Sequence, residues 1–344
     1  MRTSTLLLLL LVACPEPKGF VPDPLFQERV APASPNPPAD SGTSAPVGLR
    51  VSGLELDSGF GAALLVQEDR IWVGAPHGVQ GTVYRVNKAK LTQVVTGQGR
   101  LGSSLAMGGS GLRVGAPVRG EGLGAVVDSS GAVVVEGIGS TGLAMASGDT
   151  ALIAHGGGYS AGEGTLIPTP SRPTSIAQLG EQVGIGMALG PLALSVGDHS
   201  LDRPAALDEA GFSLAVGDLD GDGAQEWILG APGAGVVHIV DPDTLEIRTT
   251  VASDHAGFGF ALAVCDLSGD GRDDLLVGAP GAELHTGAAL LYTDLLGNDS
   301  PDQLWVGTNM GDRLGTAVGC STGLVVLGAP GMATDTGHIR VIRP

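Results

Sequence analysis

Aromatic side chains make up only 3% of this 344-residue chain, and no stretch carries the pattern of a useful amphipathic helix. Long helices are therefore excluded as its main architecture. Basic residues are scarce as well: 18 Lys and Arg stand against 36 Asp and Glu, a formal net charge of −18. A protein that neutralises phosphates needs clustered cations, so nucleic acid is excluded as a partner. The surplus of negative charge favours cations, or a soluble, self-repelling surface. Cysteine occurs three times, and no HExxH or other zinc spacing is present. What the chain has in quantity is glycine, 57 residues of it, which suits many short strands joined by tight turns.

The first residues, 1–14, read as export machinery: one Arg, a run of Leu, then small residues directly before Cys14. The apolar run is too short to span a bilayer as a stable helix. Leu11-Val12-Ala13-Cys14 resembles a bacterial lipobox, which implies cleavage before Cys14 and its lipidation. Residues 15–46 hold nine prolines among Ser, Ala, Asp and Glu without apolar periodicity. Such a stretch cannot bury enough surface to offset its ordering entropy, so a disordered tether is expected there. The folded part is then 47–344, held at a bacterial membrane, at the outer membrane or cell surface, by the lipid anchor alone.

Within it, GFSLAVGDLDGDGAQEWILGAP (Gly211–Pro232) and GFALAVCDLSGDGRDDLLVGAP (Gly259–Pro280) agree at 13 of 22 positions without a gap. Each runs as an apolar strand, an acidic Gly-rich turn, and a second apolar strand ended by Gly-Ala-Pro. Marking the ends of the second strands gives Gly74, Gly115, His155, Gly197, Gly230, Gly278 and Gly328, spaced 33 to 50 residues apart. That is the period of a four-stranded propeller blade, and it predicts seven. The 33-residue step after Gly197 predicts a fourth blade that has lost part of its outer hairpin. The last unit stops one strand short, and the run 48–56 (GLRVSGLEL) is the evident donor. Pairing chain start with chain end closes the ring and removes its open edges.

The acidic turns space hard oxygens at alternate positions, as a loop wrapped around Ca²⁺ requires. In the first, Asp218, Asp220, Asp222 and Glu226 supply carboxylates and Ala224 a carbonyl. In the second the set is Asp266, Ser268, Asp270, Asp274 and the carbonyl of Arg272. Strands flank both turns, which argues against an EF-hand, and the other units lack these residues. The paired stretches resemble the FG-GAP repeats of integrin α-subunit β-propellers. That resemblance implies an all-β, seven-bladed propeller with two structural calcium sites. It further implies a protein or other surface partner on the opposite face, through loops from strand two to three and from blade to blade. His77, Arg119, Glu121, Tyr159, Glu283, His285 and Asp335 are the candidates there.

Other matches fail on context. Gly158-Tyr159-Ser160-Ala161-Gly162 fits the nucleophile-elbow pattern, but no helix follows and it is expected in a loop. Gly97, Gly99 and Gly102 lead into a strand, where a dinucleotide motif needs a helix. Asp198, His199 and Ser200 are consecutive, which assembles no triad. His155 and His238 read as structural, Trp72 and Trp227 as core. Cys265 and Cys320 fall at nearly equivalent places on neighbouring first strands, and free thiols are expected. The leading expectation is a tethered, non-catalytic interaction module. Its rival is a hydrolase or lyase with ionisable groups converging in the central channel; scarce Trp and Tyr weaken carbohydrate recognition.

Overall fold

The computed structural model describes residues 48–343 apart from 57, 79, 119–122, 206, 296–299 and 332–335. The expected signal segment, Cys14 and the Pro-rich tether lie outside the described residues. So do three partner candidates, Arg119, Glu121 and Asp335.

Alternating apolar runs broken by Gly-rich turns fold into antiparallel hairpins, and the described residues form seven four-stranded sheets. The blades span 63–97, 104–138, 145–168, 175–202, 213–252, 261–306 and 317–342. In each of the first six the four strands are consecutive in sequence. The seventh takes its outer strand from Leu49–Ser52, which pairs with His338–Ile342 and sets Val51 opposite Ile339. The expected closure of the ring by its two ends is thus observed, and Val51 is buried within it.

A blade cannot bury both faces alone, so the core lies between blades. Six apolar clusters are recognised among the described residues, each shared by two neighbours. Ile228 and Val237 of blade 5, for example, pack with Val277, Leu290 and Tyr292 of blade 6. Trp72, Trp227 and Trp305 are all buried in these seams. The seam between blades 2 and 3 holds none of the six clusters.

The Gly of Gly-Ala-Pro has a steric reason. A Cβ on Gly230 would stand 2.0 Å from the Gly259 carbonyl oxygen of the next blade, and one on Gly278 2.0 Å from that of Gly315. Backbones of adjacent blades touch there, and no side chain fits. Carbonyls at this place accept hydroxyls across the seam: Ser213 Oγ donates to Gly259 O at 2.7 Å and Ser104 Oγ to Gly142 O, the neighbour of Gly115, at 2.6 Å.

Four expectations need correction. The second strand of blade 4 is Gln182–Gly186, so Gly186 is its marker; Gly197 lies in the turn between the third and fourth strands. Blade 4 keeps all four strands and is short because its turns are tight. In blade 3, Ala154 holds the glycine's place, accepting from Gly142 N–H as Gly74 does from Gly61 N–H, and His155 follows it. Finally, Cys265 and Cys320 are disulfide-bonded, with Cα atoms 6.1 Å apart. Their strands, Ala261–Cys265 and Ala317–Ser321, are neighbouring inner strands, which brings the Cα atoms within bonding range.

Candidate metal-binding turns and the opposite face

Turn 218–225 joins the first two strands of blade 5. Its short acids fold it by accepting backbone N–H groups. Asp218 takes Gly221 N–H through Oδ1 (2.7 Å) and Gly223 N–H through Oδ2 (2.9 Å). Asp220 Oδ1 takes Asp222 N–H and Asp222 Oδ1 takes Ala224 N–H. Gly221 and Gly223 sit at φ +74° and +89°, which glycine adopts freely. The result is convergence: one oxygen each from Asp218, Asp220 and Asp222 lies within 4.8 Å of the others. Glu226, buried behind them, accepts Leu219 N–H at 3.0 Å. Burial raises its pKa; the Asp220 and Asp218 charges add to this, while the Leu219 N–H and Arg248 oppose it. The Arg248 guanidinium lies 3.4 Å from Glu226 and 3.8 Å from Asp220, and also pairs with Asp241.

The second turn, 266–273 in blade 6, repeats the construction. Asp266 accepts Gly269 and Gly271 N–H, Asp270 accepts Arg272 N–H, and Gly269 and Gly271 have φ +79° and +89°. Asp274 Oδ2 takes Leu267 N–H at 2.7 Å and Ser268 N–H at 2.8 Å. Its other oxygen, Oδ1, is buried without a hydrogen-bond partner, and burial raises its pKa. An orphaned carboxylate oxygen inside an oxygen-rich turn is costly alone and suited to a hard cation. Three carboxylates converge in the first turn but not in the second, where Ser268 replaces Asp220. Arg272 pairs with Asp270 at 3.0 Å and with Asp294 at 3.2 Å.

The turns are joined, which the sequence pattern did not reveal. Asp273 Oδ2 accepts Asp218 N–H at 2.9 Å, and Asp273 N–H donates to Asp218 O at 2.9 Å. Arg272 methylenes cover Gly221, where a Cβ would meet Cγ at 2.5 Å.

On the opposite face lie the strand two-to-three loops. His77 is there, its Nε2 3.1 Å from Arg100, and so are exposed Glu283 and His285. Glu283, Leu284 and His285 follow one another at φ +47°, +58° and +66°, a left-handed turn without glycine. Tyr159 does not belong with them. It lies within the third strand of blade 3, Gly158–Ala161, and packs against the apolar cluster shared with blade 4. The Gly158–Gly162 motif is accordingly strand and turn, not the loop expected. At the end facing the strand two-to-three loops, the mouth of the channel is lined by residues at or next to the start of the first strands, such as Leu64, Ser104, Met145, Ile176, Phe212 and Leu262.

Seven four-stranded blades in a ring closed by chain start and chain end define a seven-bladed β-propeller. Residues 258–292, the first three strands of blade 6 and the turn between them, match the family model of the FG-GAP repeat. The chain is thus a seven-bladed propeller, one segment of which matches the FG-GAP repeat. Similar solved structures include the WD40 β-propeller domain of Doa1 (14% identity, TM-score 0.62, covering 86% of this chain and 96% of that one). Selenomethionine-substituted virginiamycin B lyase from Staphylococcus aureus gives 12% identity and TM-score 0.59, covering 86% and 98%. The computationally designed Ika8 protein gives 16% and 0.55, covering 88% and 100%. At these identities the likeness concerns the fold alone. No curated protein sequence matches the chain.

Proposed function

We propose that this propeller is an exported interaction module, tethered through Cys14, whose acidic turns hold two calcium ions and whose opposite face binds a protein. The observation that carries the binding reading is one-sided exposure of apolar side chains. Every large apolar residue more than half exposed among the described residues lies in a loop of the face opposite the acidic turns: Leu54, Leu56, Val118, Leu189, Leu207, Leu284 and Met310. Leu207 is 88% exposed and Leu284 80%. Apolar tips gathered on one face lose hydration in a protein interface, and single scattered ones would need no explanation. Leu207 and Leu284 also hold positive φ, a conformation that costs energy in leucine and so requires support from the surrounding loop.

The first ion would be held by Asp218, Asp220 and Asp222 with Glu226 and the Ala224 carbonyl. The second would use Asp266, Ser268, Asp270 and Asp274 with the Arg272 carbonyl. A bound cation offsets the mutual repulsion of these acids and so stiffens its hairpin; no chemistry is routed through it.

The test is cross-linking of the intact protein to its cell-surface neighbours, comparing wild type with Leu54→Ser/Leu284→Ser/Met310→Ser and with Asp69→Ser/Lys88→Ser on the acidic-turn side. Loss of the same partner only in the first variant is expected. Capture unaffected by it, or lost equally in both, would contradict the assignment of the face.

A further inference from the structure

Blade 3 departs from the repeat at the end of its second strand, and the departure borders the seam that lacks a core cluster. The residue after the second-strand Gly is a buried Ala in five blades, Ala75, Ala116, Ala231, Ala279 and Ala329; in blade 4 it is the buried Met187, and in blade 3, where Ala154 replaces the Gly, it is His155. Room for the ring comes from blade 2, where a Cβ on Gly137 would meet His155 Nδ1 at 3.2 Å and Thr141 Oγ1 at 2.5 Å. His155 Nδ1 lies 3.1 Å from Thr141 Oγ1, and its Nε2 lies 2.8 Å from Ser160 Oγ. His155 and Ser160 line a cavity of about 740 Å³ between the outer strand of blade 2 and blade 3, walled by Val134, Val135 and Leu166. A polar side chain where the other six blades place a buried apolar one, with polar groups converging in a cavity, marks a functional site.

We propose that Ser160 is a nucleophile and His155 its general base, forming an acyl-transfer site for carboxylic esters with a small apolar acyl group. The geometry meets the first two requirements of such a site: nucleophile bonded to base, and base oriented by a third group. In the competent tautomer Nδ1–H donates to Thr141 Oγ1, and Nε2 is left to receive the serine proton. The Gly162 carbonyl, 3.1 Å from Ser160 Oγ, is the competing acceptor in the resting state. Burial lowers the His155 pKa, which keeps the ring neutral at physiological pH. In the reaction, Ser160 Oγ bonds to the ester carbonyl carbon while its proton passes to His155 Nε2. The C–O bond to the alcohol breaks, and the alcohol leaves with that proton. Water, deprotonated by the same nitrogen, then cleaves the acyl-serine to release a carboxylic acid and restore Ser160. The site lies in the flank of the ring and depends neither on calcium nor on the apolar loops.

The experiment is labelling of the full chain with a fluorophosphonate, the modified residue mapped by mass spectrometry. One adduct, on Ser160, is expected, absent in Ser160→Ala and formed at least about 100-fold more slowly in His155→Gln. The wild-type labelling rate should rise with pH and level off below the ordinary histidine value. Glu136 and Glu163 are the other titratable groups lining the cavity. No adduct on Ser160 of the folded wild type, an adduct on a different serine, or a rate indifferent to pH between 5 and 8 would overturn the proposal. None of these readings requires a variant that folds; where His155→Gln melts like wild type, an unchanged rate overturns it as well.

Discussion

Closeness of approach decides more here than side-chain chemistry, and Gly230 shows why. Its Cα lies under the Gly259 carbonyl of the next blade, so Gly230→Ala forces two backbones apart. We expect a loss of about 2–4 kcal/mol in denaturant unfolding, against less than about 1 kcal/mol for Gly157→Ala, where the added Cβ meets nothing within 4 Å and φ is not positive. In blade 3 the place is taken by Ala154, and blade 4 is entered through Pro173 and Thr174 where Gly142 and Gly211 lead into its neighbours. Cys265 and Cys320 act at the same scale. They close a 55-residue separation between blades 6 and 7, and Cys265→Ser/Cys320→Ser should cost about 4 kcal/mol. Equal stability of wild type and variant, both measured without reductant, would argue against the bond.

At the scale of elements, the two acidic turns form one unit. Asp273 holds the backbone of Asp218 from both sides and stands between Arg272 and Asp274, so ordering the second turn should pre-organise the first. Asp273→Ala is expected to weaken metal binding at the first turn about fivefold, the worth of one hydrogen bond, while Asp273→Asn keeps an acceptor and restores most of it. Terbium luminescence excited through Trp227, which follows Glu226 directly, reads the first turn; Leu275 holds that place in the second. Unchanged affinity in Asp273→Ala would refute the coupling. The turns themselves were legible because two near-identical copies share both strands and both glycines. Their contact was not, since Asp273 faces another blade and the repeat speaks only of its own. Blade 4 was misjudged for a related reason. Ser195-Val196-Gly197 imitates the end of a second strand, and only strand pairing distinguishes it from Gly184-Ile185-Gly186. Closure by residues 48–56 was legible because no other strand-like run was available. The apolar loop tips were not, because no periodic pattern governs loops.

At the scale of the whole molecule, the ring has two unlike ends. One carries the carboxylate-rich turns of blades 5 and 6, the other exposed leucines and a methionine, and the clusters between blades hold the two together. Charge brought together at one end is unfavourable, and a cation bound in these turns as proposed would offset it and couple the fold to the ion. Metal that binds only the folded chain adds about 2.7 kcal/mol at a free concentration a hundredfold above its dissociation constant. The most direct test is native mass spectrometry of the intact protein in millimolar calcium, followed by a thermal melt with and without excess chelator. Two ions per chain are expected, one remaining after Asp218→Ala/Asp220→Ala and one after Asp266→Ala/Asp270→Ala, with a melting temperature lowered by chelator. A chain that binds no calcium and melts at the same temperature in chelator would contradict the account.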